Sequence, residues 1–388
     1  MEILVISHKY PPSIGGMQKH CFELVQSLKR NNIVQEVIFT KGSKFWFLIR
    51  SSFRAKRLLK KYPNIDLIYA NDGLMAFFLT PLFGRTKVPI VITAHGLDVV
   101  FPLQFYQKWL YKYFNKARGV IAVSDGTTKE LLDRKVHHQK VFTVRNGFDP
   151  SENSIEATPA FLEEKLGVSL EGKKVLVSIG RSVKRKGFSW MVDQVLPSLG
   201  REVIYIVIGP KLDDYRRINW MKKYLPNWLF RSLVLLIGIP LDEIVLQEKI
   251  KERGYEERVF HLSGLSNKEV TTVLKTADLY VMPNLSVPGD YEGFGLVALE
   301  AVTAGLLCVA AEIDGIPSAI QNDSNGILLP SGDHQVWIDK VSSLLNDDQR
   351  RNELASRYKA NAVTSCLSWT EMADEYEKVF QQIVEENK

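Results

Sequence analysis

Two glutamates, Glu292 and Glu300, stand eight residues apart in the run Pro288-Gly-Asp-Tyr-Glu292-Gly-Phe-Gly-Leu-Val-Ala-Leu-Glu300-Ala-Val-Thr-Ala-Gly305. A carboxylate accepts hydrogen bonds from two vicinal hydroxyls, so each glutamate can clamp a diol. Gly293 and Gly295 let the main chain approach a sugar or phosphate closely. A helical pattern begins at Leu296, which places Glu292 in the preceding loop and Glu300 in the second helical turn. The positive end of that helix then adjoins the first carboxylate. A purely structural role is open to Glu292 as a neighbour of the helix cap. It does not account for Glu300, an acid inside the otherwise apolar Leu296-Val-Ala-Leu-Glu-Ala-Val302.

Two glycine turns could bind an anion. The strand-like run 174–179 leads into Gly180-Arg-Ser-Val-Lys-Arg-Lys-Gly187 and then a helical stretch. Main-chain amides at such a turn point at a ligand, with Arg181 offering a planar fork and Lys186 a point charge, both suited to a diphosphate. A solvated basic turn is equally open for this segment. The P-loop spacing Gly-x4-Gly-Lys-Ser/Thr is missing. The opening run 2–6 likewise leads into Ser7-His-Lys-Tyr-Pro-Pro-Ser-Ile-Gly15-Gly16-Met17, with a helix from about residue 18. Adjacent glycines at a helix start permit close approach of a ligand, or they simply make a turn. The Gly-x-Gly-x-x-Gly fingerprint is absent and no acid follows the second strand suitably, which disfavours an oxidoreductase.

These segments need strands to aim them. Short apolar runs alternate with helical stretches along the chain, the pattern of parallel α/β folds. Strands are expected at 2–6, 34–39, 66–70, 89–94, 119–123 and 141–144, and again at 174–179, 203–208, 258–262, 278–282 and 306–310. The polar passage 150–172 separates the two sets and reads as a linker. The expectation is α/β architecture with two Rossmann-like doubly wound domains, 1–160 and 170–365, facing each other across a cleft. Ligands bind such sheets at the carboxyl ends of their strands. The amphipathic stretch 369–388 is expected to pack back as a capping helix.

The chain has 388 residues, 45% hydrophobic and 24% charged, as in ordinary soluble proteins. Its three cysteines, Cys21, Cys308 and Cys366, lack metal-ligand spacing, which fits a reducing, cytoplasmic compartment. No secretory signal and no apolar run of about 18 residues is visible. The net charge of +6 hides an asymmetry. Residues 1–150 carry 23 basic and 10 acidic residues; the remainder carries 27 and 34. A basic front half suggests an anionic partner. Within it, 44–62 holds seven basic residues and no acid. Arg50, Arg54, Arg57 and Lys61 share one helical face, with Leu48, Ala55, Leu59 and Tyr62 opposite, flanked by Phe45 and Ile49. That pattern suits anionic lipid headgroups, or an ordinary packed helix with a solvated face. Further aromatic and basic residues lie at 101–118 and around Trp220 and Trp228.

The Glu292-x7-Glu300 motif resembles the signature of retaining GT-B glycosyltransferases of family 4. Gly-Arg-x4-Lys-Gly at 180–187, Gly15-Gly16, Ala-His-Gly at 94–96 and Asn146-Gly-Phe-Asp149 fall in the family's order. The resemblance implies that Glu300 holds the ribose hydroxyls of a nucleotide-sugar donor and Glu292 the sugar hydroxyls. It implies that Arg181 and Lys186 neutralise the diphosphate, and that Gly293 and the amides of Phe294, Gly295, Leu296 and Val297 line sugar and phosphate. Gly15 and Gly16 would let the N-terminal domain close on the diphosphate. His95 would sit beside the reacting carbon; a histidine buried at a strand end is the plainer alternative. Two features depart from the family: Asn284 replaces a serine common after Pro283, and the insertion-like stretch 211–256 lengthens the second domain.

The reaction implied is transfer of a sugar to a lipid-linked, lipopolysaccharide or other polysaccharide-precursor acceptor, at the cytoplasmic face of the inner membrane. No cofactor is expected. The chain has no Asp-x-Asp, so no metal is expected to bridge the donor. No acid presents itself as a covalent nucleophile, and the resemblance favours same-face attack. A nucleotide-sugar epimerase of the same fold and a non-catalytic binder are the rival readings. Nucleic acid is disfavoured as a partner, because the basic residues interleave with aliphatics and no recognition motif is present.

Overall fold

A computed structural model describes residues 1–13, 15–149, 158–212 and 215–388. The chain divides into two compact units, one of 1–149 with 366–388 and one of 150–365. Each is built on a six-stranded, all-parallel sheet flanked by helices.

In the first unit the strands are β1 (Glu2–Ser7), β2 (Ile33–Ile38), β3 (Leu67–Ala70), β4 (Ile90–Ala94), β5 (Gly119–Ala122) and β6 (Val141–Thr143). Their order is β2-β1-β3-β4-β5-β6. Strands β3, β4 and β5 are buried along their whole length, which is why they read as unbroken apolar runs rather than alternating ones. Chain direction across the sheet reverses between β1 and β3, the switch point at which doubly wound sheets bind ligands.

The helix Lys44–Lys61 packs Phe47 and Ala55 into this core, with Leu48, Leu58, Leu59 and Tyr62 against it. The core therefore covers the apolar face expected at Leu48, Ala55, Leu59 and Tyr62. What remains outward is basic and aromatic: Phe45, Trp46 and Phe53 are 63%, 54% and 71% exposed. The C-terminal helix Trp369–Glu386 starts at a reciprocal capping box of Ser368 and Glu371. It buries Trp369, Met372, Ala373, Tyr376, Phe380 and Ile383, one stripe at helical spacing. Gly119 and Gly147 leave room for it: a Cβ on either would lie 2.5 Å from Ile383 Cδ1 or 2.7 Å from Trp369 Cα.

The second unit contains β7 (Lys174–Ile179), β8 (Val203–Ile208), β9 (Val259–Leu262), β10 (Leu279–Met282), β11 (Cys308–Ala311) and β12 (Ile327–Leu329). Read from its far edge the order is β9-β8-β7-β10-β11-β12, the dinucleotide-binding arrangement, with its switch point between β7 and β10. Strand β12 was not expected: three residues between Gly326 and Pro330 are too few to show a period. The helical stretch after Gly187 is irregular, passing from Phe188–Trp190 through a π turn, Met191–Val195, into a 3-10 turn, Leu196–Ser198. Pro197 sits in that last turn and cannot supply an amide to a continuing α-helix. The stretch 211–256 contains the helices Tyr215–Tyr224, Asn227–Ile237 and Asp242–Arg253.

Candidate active site

Each switch point carries a cluster of polar side chains. In the second unit, the loop after β7 brings Arg185 and Lys186 to the loop after β10, which carries Asn284, Asp290 and Glu292. Three donors converge on one carboxylate oxygen. Glu292 Oε2 accepts from Arg185 Nη1 at 2.5 Å, Lys186 Nζ at 2.7 Å and Asn284 Nδ2 at 3.2 Å. Oε1 takes none of these bonds. Arg185 also donates from Nε to Asp290 Oδ1 at 2.8 Å, so its planar fork spans two acids. The Glu292 amide donates to Asp314 Oδ2 at 3.0 Å, and its carbonyl accepts from Gly315 N at 2.9 Å, pinning the backbone on both sides.

Burial raises the Glu292 carboxyl, but Arg185 and Lys186 overcome it and hold the group down at about 2. Burial lowers Lys186, opposed by Glu292; the same acid and Asp290 raise Arg185 against its burial. Gly187 makes the approach of the two loops possible. It sits at φ +69°, and a Cβ there would lie 1.9 Å from Pro283 O. Gly295, at φ +98°, begins the helix Leu296–Thr303 without any side-chain cap. Its first-turn amides, Leu296 and Val297 among them, have no acceptor within the helix and suit an anion. Phe294 and Leu296 are buried beneath that turn.

The expected residues divide between places. Lys186 and Glu292 are in contact. Arg181 is exposed, and its Nη1 donates to Gly238 O at 3.0 Å rather than to an acid. Glu300 is partly buried and, with Glu292, bears on the hydroxyl of Tyr280, which burial pushes well above its ordinary range. Arg185 and Asp290 were not singled out from the sequence. Their pairing spans 105 residues and has no local signal.

The first unit gathers a second cluster. His8 follows β1, Asn71 and Asp72 follow β3, and His95 and Asp98 follow β4. His8 Nδ1 lies 3.1 Å from Asp72 Oδ2, off the hydrogen-bond axis. Burial raises Asp72, but His8 and the Met75 amide bring it down to about 2. His95 Nε2 lies 2.8 Å from Asn71 O. A carbonyl can only accept, so the proton is on Nε2 and Nδ1 is left as an acceptor. Burial lowers His95, against Asp98 and Asp72; burial raises Asp98, whose oxygens accept from the His95 and Gly73 amides at 3.0 Å each. His20 lies edge-on to His95 with centroids 5.0 Å apart, and its Nδ1 is 2.9 Å from Asn146 Oδ1. Its other nitrogen meets the Tyr376 hydroxyl at 3.4 Å, which is 3.1 Å from Thr93 Oγ1. The C-terminal helix thus closes the back of the histidine pair. Gly15 caps the first helix, Gly16–Leu28, and both glycines are exposed.

Known proteins resemble this chain in sequence and in fold. The model described as Glycosyltransferase Family 4 matches residues 14–152, and that described as Glycosyl transferases group 1 matches 231–362. The D-inositol 3-phosphate glycosyltransferase of Corynebacterium glutamicum is 30% identical over 343 residues, 82% of this chain and 72% of that protein. The chain belongs to the family 4, group 1 glycosyltransferases. An uncharacterised glycosyltransferase of Methanocaldococcus jannaschii is 25% identical to this glycosyltransferase over 99% of both chains. In fold the glycosyltransferase is similar to HepE of Anabaena, solved in complex with UDP. The TM-score is 0.74 at 19% identity, over 98% of this chain and 100% of that one. The glycosyltransferase therefore has the GT-B fold of two Rossmann-like domains.

Proposed function

We propose that this glycosyltransferase moves a sugar, with retention, from a nucleoside-diphosphate donor to a lipid-linked, lipopolysaccharide or other polysaccharide-precursor acceptor. The convergence of Arg185, Lys186 and Asn284 on Glu292 Oε2, beside an uncapped helix start, is the observation that carries the reading. Breaking a glycosyl–phosphate bond builds negative charge on the leaving diphosphate. Lys186, Arg181 and the amides around Gly295, Leu296 and Val297 supply fixed positive charge for it. Glu292 Oε1 accepts a donor-sugar hydroxyl, and Glu300 accepts the ribose diol. Gly293 and Phe294 line the donor's place in the second unit, and Gly15 and Gly16 are the first unit's residues assigned to the donor. His95, with a neutral ring, is the first unit's candidate for a role at the donor sugar, and that unit is the candidate acceptor-binding domain. HepE, the similar fold, has been solved with UDP and with UDP-glucose, which supports a nucleoside-diphosphate sugar as donor here.

Transfer proceeds without a divalent metal and by same-face attack assisted by the leaving phosphate. Among the described residues no group of three His, Cys, Asp or Glu is placed to hold an ion. The acceptor is reached at the cytoplasmic face of the inner membrane, through the exposed basic and aromatic face of Lys44–Lys61. No helix among the described residues is long and apolar enough to cross a bilayer.

The test is the anomeric configuration of the product, read by proton NMR from an α-linked donor in the presence of EDTA. An α-glycoside is expected. A β-glycoside, or activity lost to EDTA and restored by Mn²⁺, would overturn retention or metal independence respectively.

A further inference from the structure

The connection between β8 and β9 carries a surface that the transfer reaction does not use. Its first two helices, Tyr215–Tyr224 and Asn227–Ile237, pack on each other as a hairpin. Residues 215–241 hold five basic residues and no acid. The hairpin's tip lies outside both family matches, which cover 14–152 and 231–362. Its exit is fixed to the loop after β7: Arg181 Nη1 donates to Gly238 O at 3.0 Å and Asp242 N to Ser182 O at 2.9 Å.

Ile218 and Phe230 turn inward and are buried. Around the tip, Trp220, Tyr224 and Trp228 are 60%, 61% and 62% exposed, with Lys222 and Lys223 exposed between them. Lys223 Nζ stands 5.3 Å over the Tyr224 ring, whose centroid is 5.5 Å from that of Trp220. In the second helix, Leu229, Leu233, Val234 and Leu235 are only partly covered. A helix apolar on most of its sides is ordinarily buried. In this one Trp228 is exposed and those four side chains are only partly covered.

We propose that the hairpin 215–237 seats in the headgroup layer of an anionic bilayer, giving the second unit a membrane contact of its own. Indole and phenol rings prefer the boundary between hydrocarbon and water, and lysines beside them meet anionic headgroups. Lys44–Lys61 lies in the first unit and is a separate contact. A second copy of the chain suits the surface poorly, because a two-fold contact would set lysines against lysines and residues 215–241 hold no acid to relieve them.

The test uses the full chain with vesicles of phosphatidylglycerol or phosphatidylcholine whose acyl chains are brominated. The protein has seven tryptophans, and bromine quenches those that reach the bilayer. Quenching by phosphatidylglycerol vesicles is expected to persist in Trp46→Phe and to fall by at least about half in Trp220→Phe/Trp228→Phe, given the interfacial seat of the indoles. Lys222→Glu/Lys223→Glu should reduce partition into those vesicles about tenfold or more at roughly 0.1 M salt, with an unchanged melting temperature. Undiminished quenching in Trp220→Phe/Trp228→Phe, or wild-type partition of the double glutamate variant, would overturn the proposal. So would a dimer in solution that dissociates on Trp220→Phe/Trp228→Phe in the absence of vesicle binding.

Discussion

With Arg185, Lys186 and Asn284 all on Glu292 Oε2, the carboxylate is held in one orientation and its remaining oxygen is presented. On the proposed function, removing the lysine takes away a positive charge assigned to the leaving diphosphate. Lys186→Ala should lower kcat by about 10²–10³, the cost of losing one such donor. Arg185→Lys keeps the charge but cannot span Asp290 and Glu292, so kcat should fall by about tenfold while the fold survives. Both are read from initial rates with saturating donor. Acid stability follows from the same geometry. Glu292 is depressed to about 2, so the stability it contributes is complete above its unfolded value, near 4.5. That contribution is lost as the pH falls towards 2 and amounts to at most about 3 kcal/mol. Glu292→Gln should be less stable at neutral pH and should lose less on acidification from pH 5 to 2.5, measured by thermal melts. A variant melting curve that fell as steeply as the wild type's would count against the ion-pair cluster.

Elements place these residues through a few close approaches. Gly187 stands where the loops after β7 and β10 meet, and Gly187→Ala would drive a methyl group into Pro283 O while also straining a left-handed backbone. The expected cost is about 2 kcal/mol or more, seen as a lower urea midpoint. The C-terminal helix is the matching device in the first unit. Phe380, fully buried, packs tilted against Tyr69 and edge-on to Tyr376 at centroid distances of 5.6 and 5.9 Å. Phe380→Ala should cost about 3–5 kcal/mol, a loss measurable in the same titration.

Element by element, legibility followed range. The buried strands of both sheets announced themselves as Val- and Ile-rich runs, and the inward face of Lys44–Lys61 followed from a 3.6-residue period. The outward position of Phe53 did not, because the period identifies a face and not what covers it. Lys186 and Glu292 were visible as motif residues. Arg185 was visible only as one more basic residue in Lys-Arg-Lys, since its meaning lies in Asp290 and Glu292, more than 100 residues away. Asp72 and Asp98 were likewise illegible: each is an ordinary acid until the ends of β1, β3 and β4 are brought together.

At the scale of the whole molecule, charge is divided as the work is proposed to be. Residues 1–150 have 13 more basic than acidic residues, and the remainder has 7 fewer. The proposed attraction of an anionic surface to residues 1–150 acts over about a Debye length, so raising the salt should weaken vesicle binding progressively. The second unit, 150–365, carries 25 basic and 28 acidic residues, and its basic stretches without an acid include the Lys184-Arg-Lys186 turn and the 215–241 hairpin. The central claim, that the cluster around Lys186 and Glu292 receives a diphosphate, is tested most directly by the melting temperature of the chain against UDP, GDP and ADP. At a hundredfold excess over its dissociation constant, the right nucleotide should stabilise the wild type by about 2.7 kcal/mol, a rise of several degrees. Lys186→Ala should lose most of that rise. A Lys186→Ala protein that responds as the wild type does, or a wild type that responds to none of the three, would contradict it.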